Sequence, residues 1–100
     1  MTHPRGNYTR KEVRKLLRGR LTLRENRDNI NVLVRLLDLD AGVLRLVREH
    51  PGEARAVIVC GLFQVQFLDA EAILSEDDST IHRWWSSGVA HLTDYMNGHE

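Results

Sequence analysis

Five histidines (His3, His50, His82, His91, His99), one cysteine (Cys60) and an acidic run (Glu76, Asp77, Asp78) are the side chains that could build a reactive or metal-binding site. A metal site needs imidazoles or thiolates that converge from one helical face or from paired loops. No two histidines here stand four apart, and His82 and His91, nine apart, fall on opposite sides of a helix that turns about 100° per residue. The spacing predicts surface histidines, with no metal and no other cofactor. Cys60 becomes a nucleophile only if a cation or a helix N-terminus lowers its pKa. Between Val59 and Gly61 it reads instead as a small apolar residue. The acidic run lacks the spaced oxygen ligands and internal glycine of a calcium loop, and suits the start of a following helix, whose dipole favours negative charge there. A phosphate loop, a dinucleotide fingerprint and a serine elbow are all missing. A chain of 100 residues whose apolar side chains fill helix stripes and one sheet face has little room for a substrate cavity. The sequence therefore predicts a protein that is not an enzyme and has no catalytic residues.

The elements that would position any site follow from periodicity and caps. Thr9 with Glu12 forms a capping box, Tyr8 with Val13 a hydrophobic staple, and the helix they open is predicted over residues 10–18, closed by Gly19. A second capping box, Thr22 with Glu25, opens a long helix with a stripe of Leu23, Ile30, Leu33, Val34 and Leu37. Asp40 is placed to cap a separate third helix that Pro51 and Gly52 stop. From Ala54 to Phe67 the pattern looks like period two, and a tight turn at Cys60 and Gly61 makes it a β-hairpin. A short helical turn over residues 70–74 and a last helix from about Thr80 complete the chain; Ile81, Trp85, Val89, Leu92 and Met96 form the last helix's stripe. The expected fold class is α+β, about four helices packed with one two-stranded antiparallel β-hairpin. Residues 1–8 are expected to form a flexible N-terminal arm and residues 9–100 a single small domain.

Equal numbers of basic and acidic residues hide a division. Residues 1–35 hold ten Lys/Arg and three acids, for a net charge of +7, and the rest of the chain carries −7. Such asymmetry marks either internal complementarity or a basic end that meets phosphate or acidic protein. No apolar run reaches the roughly 18 residues of a membrane span, and the first residues lack a hydrophobic leader, so a cytoplasmic protein is expected.

Two functions fit these features. The first is a non-catalytic protein–protein interaction module of the kind found among small regulators, inhibitors and assembly adaptors of bacteria and phages. It would form a homodimer, or bind another protein, through the hairpin edge and an aromatic anchor; Trp84, Val57, Val59, Leu62 and Leu68 would carry that contact. The second is nucleic-acid binding, with Arg10, Lys11, Arg14, Lys15, Arg18 and Arg20 on phosphates. Tyr8, Thr9, Glu12, Val13, Lys15, Leu16, Thr22, Leu23 and Arg24 form a pattern that resembles the opening helix-turn-helix of MerR-like and excisionase-like regulators, over less than a fifth of the chain. Two departures argue against assigning that family: Arg14 replaces a small buried residue, and the turn Arg18-Gly19-Arg20-Leu21 is one residue too long.

Overall fold

The computed structural model describes residues 8–20 and 30–98, and among these every regular element is helical. In chain order they are α1 (Arg10–Gly19), α2 (Ile30–Glu49), α3 (Pro51–Ala56), α4 (Phe67–Leu74) and α5 (Asp78–Met96). α3 runs without a break into a π-helical segment, Val57–Leu62.

α1 opens as its N-terminal cap dictates, but Gly19 does not close it: the helix includes Gly19 and its C-cap is Arg20. The Thr9 hydroxyl accepts the Glu12 N–H at 3.1 Å, and the Glu12 carboxylate accepts the Thr9 N–H at 3.3 Å. Tyr8 and Val13, the staple pair, are both buried in the main core, so Tyr8 belongs to the domain rather than to an arm. The Tyr8 N–H donates to Asn97 Oδ1, and Asn97 Nδ2 donates back to the Tyr8 carbonyl, tying the start of α1 to the end of α5. The second capping box at Thr22 and Glu25 lies outside the described residues.

Two expectations need correction. Residues 40–49 do not form a separate helix, because α2 passes through Asp40 unbroken. The Asp40 carboxylate is engaged by Arg20, with both N···O distances 3.0 Å, and caps nothing. Gly42 sits in the middle of α2 where Leu92 and Met96 of α5 press against the backbone, so it serves helix contact rather than helix termination.

The second correction concerns fold class: the α+β assignment and its hairpin over residues 54–67 are wrong. Residues 54–62 lie in α3 and the π-helical segment, because their small residues bury a helical face, and Phe67 opens α4. Ala54, Val57 and Gly61 lie three and four apart, Ala56 and Cys60 four apart, and all five are buried. The β-branched run Val57, Ile58, Val59 favours a strand locally, but packing between α1 and α5 overrides that preference.

α5 is the central helix and packs on α1, α2, α3 and α4. Asp77 caps it, accepting the Thr80 N–H at 2.8 Å. Its stripe of Ile81, Val89, Leu92 and Met96 is buried, as its spacing implies. The main core cluster joins α1, α2, α3, the π-helical segment and α5 through Leu17, Leu39, Leu46, Val57 and Leu92. A smaller cluster around Ala56, Ala70, Leu74 and Ile81 seats α4, and half-buried Trp85 packs against both. No helix among the described residues is long and apolar enough to cross a membrane.

Candidate functional site

The junction of α2 and α3 brings together side chains whose sequence spacing hides their proximity. α2 ends at Glu49, and His50 departs from helical geometry at φ −140°, ψ 71°. Its N–H still donates to the Leu46 carbonyl, while its own carbonyl accepts the Ala54 N–H, so the residue is pinned to both helices. Pro51 starts α3, where its missing N–H costs nothing.

At Gly88, α5 lies close against α3 and the start of the π-helical segment. A Cβ there would lie 2.6 Å from Val57 Cγ2 and 3.1 Å from the Glu53 carbonyl oxygen. This contact sets one ridge of α5, Ser87 and His91, against one ridge of the α3 start, His50 and Glu53. The His50 and His91 rings stack with centroids 3.9 Å apart and planes at 13°. Glu53 Oε2 lies 3.7 Å from His50 Nδ1 and takes a long contact of 3.5 Å from the Ser87 hydroxyl. One donor atom from each of His50, Glu53 and His91 falls within 4.8 Å of the others, and all three side chains are half-buried.

A second layer stands behind the cluster. Arg45 Nε donates to Glu49 Oε2 at 2.8 Å, and the Tyr95 hydroxyl donates to Glu49 Oε1 at 3.1 Å. The Arg45 guanidinium lies 4.2 Å above the Tyr95 ring, and that ring lies 6.3 Å from His91. The hydrogen bond from Arg45, then that from Tyr95, holds the Glu49 carboxyl below the usual carboxylate range.

His82 and His91 do lie apart, as their spacing requires: exposed His82 pairs with Asp78 at 3.3 Å and packs on Phe67. The prediction of surface histidines with no convergent pair fails for His50 and His91. Their spacing hides them, because His50 stands at the N-cap of α3 while His91 stands on α5. The legible signal was His50 and Glu53, three apart at a helix start. Cys60 is buried, and burial pushes its thiol pKa up, away from nucleophilic use.

No protein-family profile, no curated protein and no solved structure matches this chain.

The five residues expected to make a partner face do not share one. Val57 is fully buried, Val59 and Leu62 are half-buried on the π-helical segment, and Leu68 is 75% exposed on α4. Trp84 is half-buried against the smaller cluster and beside Gly52, and so serves the core. Three of the exposed large apolar side chains among the described residues stand on α2; Phe63 precedes α4, and Leu68 and Ile73 stand on it. Leu37 is 68% exposed, Leu44 66% and Val47 43%, and Ala41 between them is also exposed.

Four of the five cations of α1 share a face: Lys11, Lys15 and Arg18 are exposed opposite buried Val13 and Leu17, and Arg14 is half-buried beside them, while exposed Arg10 stands three residues before Val13 on the side of the buried pair. Among the described residues none of these five is in an ion pair, whereas Arg20 is held by Asp40.

Proposed function

We propose that this chain is a protein–protein interaction module that pairs with a second copy of itself through the outer face of α2. The observation that carries this reading is the exposure of Leu37 and Leu44, one heptad apart on a helix whose other face is buried. At 1.5 Å per residue they stand about 10 Å apart along the axis, the repeat at which one helix seats its leucines against another. A two-fold axis near Ala41 sets Leu37 of each copy against Leu44 of the other, and the small Ala41 side chain leaves room for the helices to approach. Singly exposed apolar residues are ordinary, but an aligned set of three is not scattered exposure.

Sedimentation across a concentration series tests the pairing. The parent chain is expected to shift from monomer to dimer, and Leu44→Glu to remain monomeric with unchanged helicity. A parent that stays monomeric to about 1 mM, where association is worth at most roughly 4 kcal/mol, overturns the reading.

The basic face of α1 favours a second reading, contact with a phosphate-rich partner such as nucleic acid. A duplex-binding titration at low and moderate salt tests it. Affinity that falls by orders of magnitude as salt rises, and is lost when Arg14, Lys15 and Arg18 are all replaced by Ala, supports phosphate contact. Absence of binding at low salt removes it.

A further inference from the structure

We propose that His50, Glu53 and His91 bind one divalent transition-metal ion of the zinc class. Two imidazoles and one carboxylate are the donors of open zinc sites, in which a water completes the coordination. The same set holds other first-row ions that favour nitrogen and oxygen ligands, so the donors indicate a class of ion.

Geometry brings the donors near bonding range. Metal–ligand bonds of about 2.0–2.2 Å put neighbouring ligand atoms roughly 3–3.5 Å apart in a tetrahedral site. The three donors already lie within 4.8 Å of one another. The nearly parallel rings, 3.9 Å apart, must turn so that their lone pairs converge. The backbone on which they turn is held: His50 is bonded to α2 and α3, and His91 is fixed to α3 through the Gly88 contact. Half-burial leaves the ion a way in while screening it less than at an open surface.

Electrostatics favour a dication at this place. Glu53 contributes one negative charge directly; Glu49, adjacent to His50, is balanced by Arg45, so the layer behind adds no net positive charge. Arg45 and Tyr95 orient Glu49 through separate carboxylate oxygens. Ser87 reaches Glu53 from outside the donor set, the position from which outer groups orient ligands. A stacked pair serving only to pack α3 on α5 needs neither Glu53 nor the layer behind it.

Calorimetric titration of Zn2+ into the 100-residue chain near neutral pH tests the site, with Co2+ absorption as a second readout. One ion per chain is expected, with a Co2+ d–d band of tetrahedral intensity. Binding should weaken by about 10-fold or more in each of His50→Ala, His91→Ala and Glu53→Gln. Stoichiometry should be the same in Leu44→Glu, which separates this site from pairing through α2. No heat and no Co2+ band up to about 1 mM ion overturns the proposal. So does equal affinity in the His50→Ala/His91→Ala double variant, which would place the ion elsewhere. If a variant loses helicity, the Co2+ spectrum of the parent decides: a band without imidazole character overturns the site.

Discussion

Gly88→Ala should be the most damaging small substitution in this protein. The added Cβ would lie 2.6 Å from Val57 Cγ2, about 1 Å inside ordinary carbon–carbon contact. Neither obstacle moves easily. Val57 is fully buried with a stiff β-branched side chain, and the second contact, at 3.1 Å, is the backbone oxygen of Glu53. Overpacking of this kind costs up to about 3 kcal/mol, and alanine in place of glycine inside a helix returns about 1 kcal/mol. The net loss should be about 2 kcal/mol, or a melting temperature lower by roughly 10 °C. Gly42→Ala is the control. Its Cβ also meets an atom at 2.6 Å, but that atom is Leu92 Cδ1, the end of a flexible side chain, and the next contact is an ordinary 3.5 Å. It should stay within about 1 kcal/mol of the parent, since the helix preference offsets the repacking. Urea unfolding followed by circular dichroism measures both. In a double-mutant cycle, Val57→Ala should relieve part of the Gly88→Ala penalty, giving a favourable coupling of about 1 kcal/mol. Gly88→Ala as stable as Gly42→Ala, with no coupling to Val57, would refute the close α3–α5 contact and the placement of His91 that depends on it.

Four further outcomes are expected. Thr9→Ala removes one half of the α1 capping box and should cost about 1 kcal/mol in urea unfolding, while Thr9→Ser should cost little. Tyr8→Phe deletes the 2.9 Å hydrogen bond to Asp38 and should cost about 1 kcal/mol, with the ring's packing retained. Hydrogen bonds from Thr80 lower the Asp77 pKa, so its contribution to stability is present above the ordinary aspartate value and is lost as the pH falls through the lowered one. Asp77→Asn should keep the cap at neutral pH and flatten the stability profile below about pH 4, measured by thermal melts across pH. Buried Cys60 should react with a thiol reagent at a rate that rises with urea in parallel with unfolding; fast labelling of the native chain would contradict its burial.

Local chemistry carried α1 and α5 from sequence to structure with little change. A capping box, an aspartate cap and an apolar stripe are interactions within one or two turns, and nothing distant needs to cooperate. The sequence alone therefore determined the Thr9 cap, the Tyr8–Val13 staple, the buried face of the last helix and the clustering of cations on α1. It did not determine residues 54–66. Between Ala56 and Phe63 every residue is apolar or glycine, and a continuous apolar run has no period to separate a buried strand from a buried helix. The choice was made by α1 and α5, against which Ala54, Val57 and Gly61 present a surface small enough for close contact. The same tertiary contact decided the His50–Glu53–His91 cluster. His50 and His91 stand 41 residues apart. Only the α3–α5 approach at Gly88, where the missing side chain lets two helices touch, sets their rings face to face beside Glu53.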